Sequence, residues 1–218
     1  MFSRISFSLK MVLLTIALTL SASLFPSDVY FFHHGASGNI ILLYSVFRSL
    51  VWMLLIPLLY VIYILKERPD TFGFTLPHPA AYAIKLTVLS SLLLLPLAVL
   101  LGLRPEFQYA YSLRDATIVQ FFFQYVFLAC IYYVAESFLF FGFLFHNLWN
   151  RLHYHSFWIT GATFALMHIM KPRLEIATAF FTGLLFCYLS RKTKSILPVA
   201  IVHFILALTV NVLVTFVW

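Results

Sequence analysis

Six of the seven acidic residues in this 218-residue chain, Asp28, Glu67, Asp70, Glu106, Asp115 and Glu175, fall in connecting segments or at the ends of apolar runs. Glu136 is the exception, set inside Ile131-Tyr132-Tyr133-Val134-Ala135-Glu136-Ser137-Phe138. A carboxylate at mid-bilayer costs about 2.5–3.5 kcal/mol on insertion scales. Such a group must either be protonated or face a polar, water-filled cavity. Two histidines are placed in the same unusual way: His168 closes Phe164-Ala165-Leu166-Met167-His168, and His203 lies within Ile201-Val202-His203-Phe204. Three separate apolar segments therefore each offer one titratable group. If the three converge, they can activate a water or bind a cation, and helix bundles build sites from facing helices in this manner. Plainer readings stand beside this one. A lone membrane histidine serves as an interhelical hydrogen-bond partner, and Glu136 could be satisfied by Tyr132, Tyr133 or a lysine. His33, His34, His78, His153 and His155 read as loop residues, and His146 as one near a helix end, with solvated surface as the expectation for all six.

The segments that must position these groups are set by composition. Hydrophobic residues make up 63% of the chain and charged residues 10%, where a soluble globular chain carries roughly a quarter charged. Mean hydropathy is +0.98. A membrane-spanning helix takes about 20 apolar residues, so the length suits an all-α, polytopic bundle of about seven to eight helices in one domain, 1–218. The alternative that closes its own hydrogen bonds in lipid, a β-barrel, needs alternating strands of about ten residues, and the long Leu and Phe runs do not alternate. The formal charge of +7 does not indicate nucleic acid, because the 14 Lys and Arg residues are scattered between apolar runs with no dense stripe or recognition motif. They suit anchors at the lipid headgroups. Cys130 and Cys187, the two cysteines, lie within apolar runs and read as small hydrophobes.

Apolar runs predict spans near 9–25, 40–65, 80–103, 116–149, 156–170, 174–190 and 195–217. The first resembles a signal peptide, with Arg4 and Lys10 before it and Ser21-Ala22-Ser23 after it, but the succession of similar runs favours a retained transmembrane helix. Pro26, Gly35-Ala36-Ser37-Gly38, Pro69, Pro77, Pro79 and Pro105 mark the connections. The run 116–149 would measure about 51 Å as one helix, against a hydrocarbon core of about 30 Å. It must tilt, protrude or break, with Gly142 as the candidate break. Taken as a single crossing, it puts Arg4, Lys10, Lys66, Arg68, Arg151, Arg191, Lys192 and Lys194 on one side, and Arg104, Arg114, Lys171 and Arg173 on the other. The excess predicts a cytoplasmic amino terminus.

The order Glu136-Ser137-Phe138-Leu139-Phe140-Phe141-Gly142, then Phe164-x-x-x-His168, then His203 on the last helix, resembles the CAAX protease and bacteriocin-processing family of intramembrane glutamic endopeptidases, over roughly 116–211. In that family the motifs are Glu-Glu-x-x-x-Arg-Gly, Phe-x-x-x-His and His-x-x-x-Asn or Asp. The resemblance implies that Glu136 is the base that activates the hydrolytic water, that His168 helps to hold that water, and that His203 stabilises the oxyanion. It also implies a membrane-associated or lipophilic peptide as substrate, membrane lipids as surroundings, and a bacterial-type inner (plasma) membrane as location. Ser137 stands where the second Glu is expected, Phe141 where the Arg is expected, and Ala207 where Asn or Asp should follow His203. Loss of a buried Glu removes the need for a buried Arg partner, whereas an amide at 207 could donate to the oxyanion. Asn211 lies eight residues after His203, about 80° around and 12 Å along a helix, too far to substitute simply.

One carboxylate with two histidines also matches a hydrolytic zinc set by residue type. With no HExxH helix, and with the glutamate needed as base, the expectation is metal-free chemistry with no cofactor. Ser137 reads as helix packing rather than nucleophile, and the 25 Phe residues as packing against lipid and core. Two other functions fit the same residues. One is a catalytically inactive relative acting as an immunity, scaffold or peptide-binding protein. The other is a small proton-coupled transporter with Glu136 as relay, although the paired broken helices of common transporters are not apparent.

Overall fold

The computed structural model describes residues 2–24, 38–111 and 118–217. Asp28, Pro26, His33, His34, Gly35 to Ser37, Arg114 and Asp115 lie outside the described residues. All regular structure among those described is helical, as the composition demands in a solvent that cannot satisfy an open backbone. We number the helices α1 (Phe2–Leu24), α2 (38–65), α3 (Ala80–Gly102), α4 (Pro105–Tyr111), α5 (118–152), α6 (His155–Met167), α7 (Arg173–Thr193) and α8 (Leu197–Phe216).

Five stretches are long and apolar enough to cross a membrane: Val46–Leu65, Ala80–Gly102, Leu128–Leu152, Arg173–Thr193 and Leu197–Phe216. The chain is thus an integral membrane protein. Two expected spans are shorter. The apolar part of α1 is Phe7–Ala22, and α6 stops at Met167, about 20 Å after it starts, because the chain turns at His168. Sequence reading also placed 105–111 in a connection, but these residues form the short helix α4. Pro105 fits its first turn, where a missing N–H costs nothing, and Phe107 anchors it at 2% exposure against Ala98, Val210 and Val214.

The long segment does not break at Gly142. α5 runs on through two wide π-helical turns, Phe121–Phe127 and Phe138–Leu144. It is the most enclosed of the five long helices and α3 the least. Phe138, Leu139, Phe140, Phe141, Phe143 and Leu144 are fully buried, with Phe143 edge-on to Tyr60 of α2 and Phe141 edge-on to Phe164 and Phe186. Wide turns disturb the regular carbonyl pairing, and side chains fill the deficit here. The Phe141 carbonyl accepts from Ser190 Oγ of α7 at 3.0 Å and from His146 Nδ1 at 3.0 Å, and the Gly142 carbonyl also lies 3.0 Å from that nitrogen. His146 is therefore a half-buried brace for the turn, against the expectation of solvated surface, whereas His78, His153 and His155 are exposed as expected.

Gly142 serves close approach. A Cβ there would sit 2.8 Å from the carbonyl oxygen of Phe72, in the connection between α2 and α3, and 3.2 Å from Ile196. Gly142→Ala is accordingly expected to lower stability by about 1–3 kcal/mol, as overpacking does, read as an earlier loss of helical signal on heating in detergent. An unchanged transition would refute the role. α6 and α7 meet in a related way, with the Cβ position of Gly183 3.2 Å from the Gly161 Cα. Lipid tails are as apolar as Leu, so van der Waals fit, not water exclusion, holds such pairs.

Basic side chains and aromatic rings meet at both ends of the bundle. Arg151 stacks 3.7 Å above the Phe7 ring and Arg191 3.6 Å above Trp149. The same end holds the 66–79 connection, tied to 193–196 by Ile196 N–H to the Gly73 carbonyl and His78 N–H to the Thr193 carbonyl. At the other end Lys171 lies 4.6 Å from the Tyr111 ring centroid.

Candidate active site

Glu136 occupies the last α-helical turn of α5 before the second wide turn, and is 2% exposed. The Tyr132 hydroxyl, one turn back, donates to its Oε1 at 3.1 Å. This is the local spacing that puts i and i+4 on one face. From α8, His203 brings Nδ1 to 2.9 Å from Glu136 Oε2. The approach lacks the alignment of a hydrogen bond, so both Oε2 and Nδ1 retain bonding capacity that protein groups do not use. The side chains are 2% and 15% exposed. An acid and an imidazole so enclosed are placed to share a proton with a third molecule.

Aromatic rings hold His203 in place. Tyr133 of α5, Phe164 of α6 and Phe186 of α7 lie 4.5, 5.7 and 5.4 Å from its ring centroid. Three helices thus fix one imidazole of the fourth. Phe164 is 1% exposed and has a second contact, with the His168 ring edge-on at 4.9 Å. It therefore stands between the two histidines. His168 caps the end of α6, and its Nδ1 lies 3.0 Å from the Phe164 carbonyl. Because a carbonyl only accepts, Nδ1 carries the hydrogen and Nε2 is the edge left for other partners.

Glu136, His168 and His203 line one cavity of about 640 Å³, to which residues of all eight helices contribute. Its walls are mixed: Leu94, Leu97, Leu101 and Met53 are apolar, whereas Arg48, Ser49, Tyr111, Tyr132, Lys171 and Glu175 are polar. The structure therefore brings the three predicted residues to one chamber, with Glu136 and His203 in contact and His168 set off from His203 by the Phe164 ring. Ser137 and Phe141 do not line it, but Ala207 and Asn211 do. Asn211 Nδ2 donates to the Ala207 carbonyl at 2.8 Å.

Sequence reading missed part of this chamber. Glu175, assigned to the end of a span, opens α7 facing inward, and Tyr111 of the unforeseen α4 donates to its carboxylate at 2.7 and 2.6 Å. Arg48, 8% exposed on α2, also borders the cavity. Only a buried position in an otherwise apolar stretch could have flagged Arg48, and nothing local flagged Glu175. Cys187 is buried and Cys130 exposed, both as free thiols outside the cavity lining. Among the described residues no group of three or more His, Cys, Asp or Glu side chains is arranged to hold a metal ion.

Residues 118–209 match a protein-family model described as Rce1-like, type II CAAX prenyl endopeptidase Rce1-like. That stretch contains Glu136, His168 and His203, and the match agrees with the CAAX protease and bacteriocin-processing resemblance of the motifs. No curated protein and no solved structure matches the chain.

Proposed function

From the match of residues 118–209 to a family of CAAX prenyl endopeptidases, we propose that the chain is an intramembrane protease that hydrolyses a peptide bond in a membrane-associated or lipophilic peptide. The observation that carries the proposal is the 2.9 Å approach of His203 to Glu136 inside a cavity that His168 also lines. In the proposed reaction Glu136 removes a proton from a water while the water oxygen bonds to the scissile carbonyl carbon. His168 orients that water, and His203 stabilises the oxygen that gains charge. When the carbon–nitrogen bond breaks, the proton held by Glu136 passes to the leaving amine, which returns the carboxylate. The proposed chemistry is metal-free, and it gains from donors held at fixed positions, which stabilise developing charge without the reorganisation that bulk water needs. The mixed walls suit a substrate with one polar and one greasy part.

In this proposal the end of the bundle that carries Lys66, Arg68, Arg151, Arg191, Lys192 and Lys194 faces the cytoplasm, a reading supported by its excess of positive charge.

A second reading has its own support. Ala207 lines the cavity with a bare methyl where the family carries Asn or Asp, as expected of an inactive relative that binds a peptide without cutting it. Ala207→Asn separates the two. One oxyanion donor is worth about 10²–10³ in rate where geometry is tuned, and a grafted, untuned amide should recover about tenfold of that. Purified wild type should cleave a prenylated or otherwise lipophilic peptide in detergent, and the variant should cleave it faster. Cleavage by neither protein across a panel of such peptides would defeat the protease reading in favour of the binder.

A further inference from the structure

Glu175 is a second carboxylate in the chamber, and its geometry is unlike that of Glu136. It belongs to the first turn of α7, faces inward, and its side chain is 18% exposed. Tyr111 holds it from one side through a hydroxyl within 2.7 Å of both oxygens. On its other side, Oε1 lies 3.7 Å from His168 Nε2. That separation is beyond a direct hydrogen bond but within range of electrostatic attraction or one bridging water. With Nδ1 committed to the Phe164 carbonyl, Nε2 is the ring edge that Glu175 addresses. The pair is attractive when Nε2 carries a proton, and a water donating one hydrogen to each partner satisfies both when it does not.

Resting on the protease reading, we propose that Glu175 is a positioning residue that fixes the His168 ring. His168 caps the end of α6, with its backbone N–H held by the Ala165 carbonyl, and the direction of its ring is set by what meets the two ring edges. A carbonyl meets one edge and an anchored carboxylate the other. Three separate elements meet at this point: α4 supplies Tyr111, α7 supplies Glu175, and the turn after α6 supplies His168. The arrangement gives the short helix α4 a task in the site, because its last residue sets the carboxylate that sets the imidazole. At metal-ligating histidines, partners that orient the ring from behind contribute about 10–100-fold, and the same scale is taken here for a ring that orients water.

The test compares wild type, Glu175→Gln, Glu175→Asp and Tyr111→Phe in detergent. Gln keeps an acceptor for Tyr111 but removes the charge. Cleavage of a lipophilic peptide should show kcat about 10-fold or more lower in Glu175→Gln with KM changed less than about twofold, partial rescue in Glu175→Asp, and a smaller loss of the same kind in Tyr111→Phe. A readout independent of catalysis is the ring-nitrogen NMR spectrum of protein labelled with 15N-histidine, with His168 assigned by its disappearance in His168→Gln. The His168 signals should move or broaden in Glu175→Gln and Tyr111→Phe while the other histidines hold. Unchanged kcat together with unchanged His168 signals in the variants overturns the proposal. If wild type cleaves nothing, the protease reading fails by itself, and the NMR comparison still decides whether Glu175 holds the ring. If Glu175→Gln does not fold, Tyr111→Phe, which leaves every charge in place, decides by the same two measurements.

Discussion

Replacing Glu136 with Gln is expected to reduce peptide cleavage by a factor of about 10²–10⁴, the span associated with a positioned general base. The substitution is close to isosteric, and Tyr132 can still donate to the amide oxygen as it does to Oε1 at 3.1 Å. What disappears is the capacity to take a proton from water at the point where His203 Nδ1 approaches at 2.9 Å. Folding should therefore survive and the rate should not. The measurement is turnover of a lipophilic peptide by both purified proteins in the same detergent, with thermal unfolding followed in parallel. Equal turnover in wild type and variant would remove Glu136 from the mechanism, and the proposed chemistry with it.

His203→Ala is expected to cost about 10²–10³ in kcat, as loss of one oxyanion donor does, and to lower stability as well. The ring fills a socket made by Tyr133, Phe164 and Phe186, and its removal leaves Glu136 buried at 2% exposure with Tyr132 as its remaining close polar neighbour. Leaving a buried polar group without its neighbour typically costs about 1–3 kcal/mol, and emptying the aromatic socket adds to that. The two effects separate if kcat is referred to the folded fraction. A rate per folded molecule equal to that of wild type would show that His203 packs beside the acid without acting on the substrate.

The order of the helices was legible in the residues themselves. Apolar runs of roughly twenty residues have one stable form in lipid, a helix that closes its own hydrogen bonds, so the positions of α2, α3, α5, α7 and α8 follow from composition within a few residues. The same physics singled out Glu136, since an acid inside such a run has a cost that only function or a partner offsets. His168 and His203 stood out by similar placement.

Other features are set by contacts between segments far apart in the chain, which no local pattern encodes. Gly142 looked like a break, yet the helix continues because the glycine admits the Phe72 carbonyl, and Ser190 and His146 satisfy the carbonyls of the wide turn. Helix α4 is held by Phe107 against Ala98, Val210 and Val214 of α3 and α8, an anchorage that a seven-residue stretch between Pro105 and Tyr111 cannot advertise. Glu175 looked like one more charge at a span end, and only the fold turns it toward Tyr111 and His168. Sequence thus determined that an acid and two imidazoles would lie in apolar surroundings. Tertiary structure decided that they face one chamber and which groups stand behind them, because rotation of each helix about its axis is fixed by packing against its neighbours, not by its own hydrophobicity.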